Sequence, residues 1–292
     1  MQSRDDGRTL FGTGRSKPVS ASELDRLRQR ISEEDGLVVA FSGGVDSALL
    51  AAVAHEVLGS RMLAVTAVSP SLASAERRQA KEFARDRGFA HVEVCTDEAE
   101  RPEYAANDGN RCFHCKSALF DAVEPLAAAM GARIALGTNL DDLGDHRPGQ
   151  RAAAQRGAIA PMVDAGLTKE AVRRVSRELG LATADKPAAA CLASRVAYGD
   201  PVTPEVLARV ERAEDAVHAL GFEVCRVRAH GHGTVARLEL PEADFDRAAA
   251  RRGELDRAVR EAGFQFCALD LGGFRSGRMN ALLPLLPVRT AS

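Results

Sequence analysis

A six-residue polar turn constrains this chain more than any other stretch of its sequence: residues 42–47 read SGGVDS. The apolar, partly β-branched residues 37–41 before it predict a buried strand, and the alanine- and leucine-rich residues 48–58 after it predict a helix. The first amides of a helix lack intrahelical partners, and the helix start carries partial positive charge. Gly43 and Gly44 let the backbone approach a bound group closely. The turn is therefore predicted to bind an anion, and phosphate suits it best.

This turn differs from the commonest phosphate-binding loop, G-x-x-x-x-G-K-[ST], because no lysine follows its glycines. In its strand–turn–helix setting it resembles the PP-loop of the N-type ATP pyrophosphatases. The resemblance implies that the pyrophosphate part of ATP binds to the whole turn: Ser42, Gly43, Gly44, Val45, Asp46 and Ser47. It also implies that Asp46 helps to place Mg²⁺, because hard cations take carboxylate and phosphate oxygens together.

Strand and helix patterns alternate along the first two thirds of the chain. Strands are predicted at residues 37–41, 62–68, 91–95 and 133–136, with helices at 71–87 and 115–130. This alternation predicts an α/β fold with a parallel sheet and helices on both faces. Ligands of such sheets bind at the carboxyl ends of the strands. Residues at that edge are therefore candidate nucleotide contacts: Thr66, Gly137, Thr138, Asn139 and Arg147.

Lys169 is a further candidate, placed in the first turn of a helix that Thr168 is expected to cap. The dipole of a helix disfavours a cation at this end unless an anion lies nearby. We therefore expect Lys169 to contact a phosphate of the nucleotide.

The pattern changes after residue 198, where helix, strand, strand, helix and strand are predicted at 204–220, 222–227, 235–240, 243–262 and 264–269. The prediction is a tail over residues 1–19, a PP-loop domain over 20–198 and a smaller C-terminal α+β domain over 199–292. Arg226 and Arg228 alternate along the first of these strands and share a face. They are suited to binding a substrate phosphate, although a solvated strand face explains them equally well.

Three cysteines form the second feature that suggests chemistry. Cys112 and Cys115 are spaced as C-x-x-C, and Cys191 lies in KPAAACLASR (186–195). By spacing alone, zinc, an iron–sulfur cluster and simple thiols remain equally open. Arg195 near Cys191 favours the thiolate, and Ser194 and Arg195 are candidate substrate contacts. The other cysteines, in predicted strands, are expected to be small core residues: Cys95, Cys225 and Cys267.

Length and charge limit the classes of function. At 292 residues, two domains are expected. The net charge of −2 argues against broad nucleic-acid binding. No apolar run has the length of a membrane span, so we expect a cytoplasmic protein. In that compartment the cysteines are expected as thiols, ligands or catalysts rather than disulfides.

Several motifs occur in the order typical of one family: SGGVDS, RCFHCK, GTNLDDLGDHRPG, AGLTKEAVR, KPAAACLASR and LGGFRSGRMN. Together they resemble the LarE family of ATP-dependent sulfur transferases, over roughly residues 20 to 282. The resemblance implies that ATP adenylates the carboxylates of pyridinium-3,5-biscarboxylic acid mononucleotide. Sulfur then replaces AMP, giving thiocarboxylates for the nickel-pincer cofactor of lactate racemase. The implied catalytic residues are Asp46, Lys169, Cys191 and Arg195.

The resemblance offers two sources of sulfur. In some members the cysteine equivalent to Cys191 gives up its own sulfur and becomes dehydroalanine. In members with a C-x-x-C pair, three cysteines hold a [4Fe-4S] cluster that carries an extra sulfide. Because Cys112, Cys115 and Cys191 are all present, the cluster is favoured here. The family also suggests a homo-oligomer, such as a hexamer, and a divalent-cation role for Glu214 and Glu239.

Other hypotheses remain. A PP-loop tRNA thiolase would also use ATP and cysteines, but the chain has neither a basic charge nor an evident RNA-binding domain. An ammonia-using PP-loop synthetase would not need Cys191 or the C-x-x-C pair. A nucleotide-binding regulator would bind ATP without releasing pyrophosphate.

Overall fold

The computed structural model describes residues 22–144, 148–187 and 190–275. The predicted N-terminal tail, Arg147 and the end of the C-terminal motif lie outside these residues.

A four-stranded parallel sheet forms the centre of the larger unit. Its strands are β1 (Leu37–Ala40), β2 (Met62–Val68), β3 (His91–Cys95) and β4 (Arg133–Leu136), in the order β3-β2-β1-β4. In the register of the sheet, Val39 lies beside Ala64 on one side and Ala135 on the other. The predicted α/β fold with a parallel sheet is confirmed.

Eight α-helices of the described chain belong to this unit. They are α1 (Glu23–Ser32), α2 (Val45–Leu58), α3 (Ser74–Arg87), α4 (Pro102–Ala105), α5 (Arg111–Met130), α6 (Pro148–Gln155), α7 (Pro161–Asp164) and α8 (Lys169–Glu178). Helices α1, α2 and α8 pack on one sheet face around Leu27, Leu49 and Val172. Helix α5 covers the other face through Phe120 and Val123. Burial of both faces explains why the strands read as continuous apolar runs.

The smaller unit contains β5 (Arg226–His230), β6 (Val235–Glu239) and β7 (Phe266–Leu269), with β5 and β6 antiparallel and β6 and β7 parallel. Its helices are α9 (Pro204–Ala219), α10 (Phe245–Ala250) and α11 (Arg252–Glu261). The α+β prediction agrees, but two elements differ. The strand expected at 222–227 begins only at Arg226, and Phe222 is buried in the core of the smaller unit. The helix expected at 243–262 breaks at Arg251.

The segment that carries Cys191 joins the two units. Leu192–Arg195 forms a 3₁₀ turn, and Leu192, Ala193 and Val196 pack in the core of the smaller unit. Val196 also pairs with Ala229 of β5 in an isolated bridge. The domain boundary at residue 198 stays a prediction, with this segment packed against the smaller unit just before it.

Within the described part of the chain, none of the helices combines the length and apolarity that crossing a membrane requires.

Candidate active site

The SGGVDS turn lies between β1 and α2, where the sequence predicts it. The Ser42 amide donates to Ser47 Oγ (3.2 Å), and Ser47 Oγ in turn donates to the Gly44 carbonyl (3.2 Å). These bonds hold the turn in shape before any ligand binds. Gly43 has φ +71°, and a Cβ there would lie 3.1 Å from the Ala80 side chain, so glycine is required.

Gly137 allows the end of β4 to touch the start of α2. A Cβ at this position would lie 2.8 Å from the Ser47 backbone nitrogen and 3.0 Å from its Cα. Backbone atoms cannot yield as a flexible side chain can, so only glycine fits. Gly137 therefore brings residues that follow β4 against the turn.

Asp46, Asn139 and Lys169 come together at the mouth of this turn. Asn139 Nδ2 donates to Asp46 Oδ1 at 3.1 Å, and Lys169 Nζ lies 2.5 Å from Asp46 Oδ2. The Lys169 amide also donates to Asp141 Oδ2 at 2.8 Å. The Lys169 ammonium, which the dipole of α8 disfavours, is thus balanced by the Asp46 carboxylate. Asn139 and Lys169 lie 93 and 123 positions after Asp46 in the chain, yet the fold gathers the three side chains into one cluster. The sequence predicts all three at the nucleotide site.

Thr66 is placed differently from the other candidates. Its buried hydroxyl donates to the Phe41 carbonyl (2.7 Å) and lies 2.8 Å from His91 Nε2. Burial lowers the pKa of His91. The Thr66 side chain is therefore engaged inside the sheet, and its role in binding nucleotide stays a prediction, as do those of Thr138 and Val45.

Cys112 and Cys115 lie in the first turn of α5, so the helix starts earlier than the predicted residue 115. Cys112 and Cys191 are exposed, and Cys115 is half-buried. Burial, and then the neighbouring Cys191, raises the pKa of the Cys115 thiol to about 12. The thiols are thus close enough to interact electrostatically.

The three sulfurs fit an iron–sulfur cluster in number and chemistry but not in spacing. Among the described residues, no set of three or more cysteine, histidine or acidic side chains is gathered as a metal would require. A cluster at these thiols would therefore require their side chains to move closer together.

Asn107 and Arg111 connect the start of α5 to the Cys191 segment, and the sequence analysis missed both. Asn107 is fully buried, has φ +52°, and donates to the carbonyls of Ala197 (2.8 Å) and Asp200 (2.9 Å). Arg111 Nη1 donates to Asn107 Oδ1 and to the Ala193 carbonyl. An asparagine followed four residues later by an arginine gives no periodic signal, so only the fold reveals the pair.

Arg195 and Arg228 are buried in ion pairs. Arg195 Nε lies 3.1 Å from Glu214 Oε1, and Arg228 Nη2 lies 2.8 Å from Glu239 Oε2. Each also supports the cysteine segment, because Arg195 donates to the Cys191 carbonyl (3.1 Å) and Arg228 to that of Ser194 (3.1 Å). Their contact with substrate stays a prediction. In the described structure they hold the Cys191 turn in place.

Arg226 is half-buried; its Nη1 donates to the Cys225 carbonyl (2.8 Å), and its guanidinium lies 5.4 Å from the centroid of the Phe274 ring. Burial lowers the pKa of Arg226. This arginine is not paired with a carboxylate within the described ranges. A tight turn at residues 231–234 follows β5, with φ +56° at His232.

Of the cysteines predicted to be core residues, Cys225 is buried and Cys267 is half-buried. Burial raises the pKa of the Cys225 thiol to about 12, which suits an inert packing role. The prediction is wrong for Cys95, which is exposed. Strand β3 lies at the edge of the sheet, and Cys95 ends it.

Lys186 links the nucleotide turn to the cysteine segment and was also missed. Its Nζ donates to the Gly43 carbonyl (3.2 Å) and to Glu76 Oε2 (2.6 Å). Lys186 lies only five positions before Cys191 in the chain. Lys186 therefore holds the start of the segment that bears Cys191 against the SGGVDS turn.

Comparison with known proteins gives consistent matches. A family model described as asparagine synthase matches residues 25–106, which include the SGGVDS turn. An uncharacterized protein of Synechocystis sp. is 44% identical over 265 residues, which span 90% of this chain and 98% of that protein. The pyridinium-3,5-bisthiocarboxylic acid mononucleotide synthase of Lactiplantibacillus plantarum is 36% identical over 266 residues, 90% of this chain and 95% of that enzyme. A protein of Methanocaldococcus jannaschii is 23% identical over 262 residues.

Proposed function

Because the chain belongs to the LarE family of PP-loop, ATP-dependent enzymes, we propose that it converts pyridinium-3,5-biscarboxylic acid mononucleotide to its bisthiocarboxylic form. The observation that carries the proposal is the Lys186 link. It joins the turn suited to the phosphates of ATP and the segment that bears Cys191. We infer that the segment delivering sulfur begins at the turn where the carboxylate is activated.

The first step is adenylation. A substrate carboxylate oxygen attacks the α-phosphorus of ATP, the bond to the β-phosphate oxygen breaks, and pyrophosphate leaves. The amides of the SGGVDS turn and Lys169 offset the charge on the phosphates. Asp46 positions Lys169, and its carboxylate suits Mg²⁺, which would neutralise phosphate charge when bound.

The second step replaces AMP with sulfur. A carboxylate resists nucleophiles until its oxygen becomes a good leaving group, which adenylation provides. An anionic sulfur attacks the carbonyl carbon, the bond to the AMP oxygen breaks, and a thiocarboxylate remains. Both steps repeat at the second carboxylate.

The sulfur carrier is proposed to be a [4Fe-4S] cluster on Cys112, Cys115 and Cys191, and its function would be to bind sulfide for transfer. The number of thiols and the electrostatic interaction of Cys115 with Cys112 and Cys191 support this, whereas the spacing of the sulfurs does not. The alternative carrier is Cys191 itself, which would become dehydroalanine. That alternative leaves the C-x-x-C pair without a role.

The smaller unit is proposed to bind the substrate phosphate through Arg226, with Ser194 and Arg195 near the reacting carboxylate. We also propose that the enzyme is cytoplasmic and a homo-oligomer such as a hexamer, and that it binds no nucleic acid stably. A divalent-cation role for Glu214 and Glu239 would require their buried ion pairs with Arg195 and Arg228 to open. The ultimate sulfur source is left open.

Adenylation is tested by the nucleotide products. With the biscarboxylate mononucleotide present, ATP is expected to yield AMP and pyrophosphate, and the rate should depend on that substrate. A matched reaction with nicotinamide mononucleotide, which has no free carboxylate, should yield neither. Formation of ADP, or AMP formation that ignores the substrate, would contradict the proposal.

The carrier is tested by anaerobic purification with iron and sulfide analysis of the wild type, Cys112→Ala and Cys95→Ala. We expect about four irons per chain in the wild type and Cys95→Ala, and loss of iron from Cys112→Ala. Iron-free protein that turns over once, with Cys191 lighter by the mass of hydrogen sulfide, would establish the alternative.

A further inference from the structure

Three arginines of the described chain are buried, and one of them differs from the other two. Arg195 and Arg228 each pair with a carboxylate. Arg111 is only 5% exposed, yet in the ranges described it has no acidic side chain within ion-pair distance. A buried charge without a counter-ion is costly, so a fold that keeps one is expected to place an anion beside it.

The neighbours of Arg111 are neutral acceptors and thiols. Its Nη1 donates to Asn107 Oδ1 and, at 2.9 Å, to the Ala193 carbonyl, and its guanidinium lies 5.4 Å from the Tyr198 ring centroid. None of these partners carries a negative charge at neutral pH. The guanidinium also lies near enough to Cys112 and Cys191 to interact with them electrostatically.

We propose that Arg111 is the fixed positive charge of the three-cysteine site, positioned to hold anionic sulfur there. Arg111 is held by hydrogen bonds to Asn107, between α4 and α5, and to Ala193 in the Cys191 turn. Its charge is therefore in place before sulfur arrives. Arg111 does not attack the substrate; it acts on the sulfur through its field. The proposal rests on the proposed sulfur transfer, because only that reaction brings anionic sulfur to these thiols.

Two other charged side chains face the same thiols. Lys116, one residue beyond Cys115, interacts with Cys112 and Cys115, and Glu98 is buried near Cys115. Lys116 and Glu98 have opposite charges and both act on Cys115. Arg195 also lies beside Cys191, where it donates to the Cys191 carbonyl, but its charge is offset by Glu214. Arg111 is the buried arginine without a carboxylate partner among the described residues, so its field is tested at Cys191.

The test compares two alkylating reagents on metal-free protein, without ATP or substrate. Iodoacetate is an anion and iodoacetamide is neutral, and both react with the same thiolate. The rate with iodoacetate is divided by the rate with iodoacetamide at Cys191, both measured by peptide mass spectrometry. This ratio reports local charge and not the fraction of thiolate. In the wild type we expect this ratio to exceed that of N-acetylcysteinamide, a neutral free thiol.

Arg111→Gln is expected to lower the ratio at Cys191 by about tenfold, because a nearby unit charge is lost from a poorly solvated site. Arg111→Lys should retain most of the wild-type ratio, since the positive charge remains. Arg151→Gln is the matched control: this exposed arginine lies near the same helix start, 5.0 Å from the Phe113 ring centroid, and its loss should leave the ratio unchanged.

Two results would overturn the proposal. One is a ratio that falls equally in Arg111→Gln and Arg111→Lys, which would make the role one of packing. The other is a wild-type ratio no higher than that of the free thiol, which needs no variant and so stands even where Arg111→Gln fails to fold. Failure of sulfur transfer would leave these ratios unaffected, so the two ideas fail separately.

Discussion

The carboxylate of Asp46 joins three parts of the nucleotide site. It lies in the first turn of α2, accepts from Asn139 beyond β4, and pairs with Lys169 at the start of α8. One side chain thus holds in place Lys169, the cation that we propose faces the phosphates. Gly137 supports the same arrangement by letting β4 approach α2.

Replacing Asp46 tests this directly. Asp46→Asn is expected to lower substrate-dependent AMP formation by about 100-fold, because Lys169 loses its counter-charge and its position. Rates are measured from pyrophosphate release. Asp185→Asn is the control, since Asp185 pairs with Arg177 on the exposed surface. Equal rates for both variants would mean that Asp46 is not part of the catalytic site.

Gly137→Ala should destabilise the fold by about 1–3 kcal/mol, because the new methyl group would overlap the backbone of Ser47. The free energy of unfolding in urea measures this, and ATP affinity should fall with it. Gly253→Ala in α11 is the matched change, because nothing lies within 4 Å of a Cβ there. A loss of stability at both positions alike would refute the close-approach explanation.

The 3₁₀ turn that carries Cys191 depends on buried charge pairs of neighbouring elements. Glu214 of α9 binds Arg195 of the turn, and its Oε1 also accepts from the Val227 amide of β5 at 3.0 Å. Strand β5 binds the turn a second time through Arg228. The position of Cys191, the proposed sulfur site, is therefore set by the smaller unit.

Glu214→Gln is predicted to cost about 3–5 kcal/mol of unfolding free energy, because Arg195 would remain as an uncompensated buried cation. The double variant Glu214→Gln/Arg195→Met should recover much of this loss. Urea unfolding of the single and double variants measures the coupling. Additive losses would show that the pair does not stabilise the fold as a unit.

Helix α3 and strand β3 are joined by an acid-sensitive link. Glu93 lies 2.7 Å from Arg77 Nε and 2.8 Å from Lys81 Nζ. The hydrogen bond from Arg77, above other causes, lowers the pKa of Glu93 from 4.5 to about 2. A carboxyl whose folded pKa is depressed stabilises the fold above its unfolded pKa, and this is lost as the pH falls through the folded value.

Glu93→Gln should therefore lower the urea midpoint at pH 7, and the difference from the wild type should shrink below about pH 4.5. Unfolding series between pH 7 and 3 measure this window. Glu103→Gln, which removes an exposed carboxyl, is the comparison. A wild-type advantage that stays constant as the pH falls would contradict the assignment.

Across the chain as a whole, the sequence predicts what depends on local pattern. Apolar runs predict β1 to β4, and SGGVDS predicts the turn between β1 and α2. Prediction fails where distant residues decide the outcome. The arginines of β5 make this strand look solvent-exposed in the sequence. The fold nevertheless buries Arg228 by pairing it with Glu239. Arg111 becomes a buried cation only because the fold brings Ala193 to it, 82 positions away.

The molecule as a whole is proposed to couple ATP cleavage to sulfur transfer across its two units, and the product is the sharpest test. Anaerobic protein is incubated with ATP, Mg²⁺, a sulfide source and the biscarboxylate mononucleotide, and the product is identified by mass spectrometry. We predict exchange of oxygen for sulfur at each carboxylate, with one AMP formed per exchange. An amide, an unchanged substrate despite AMP formation, or sulfur on any other atom would contradict the proposal.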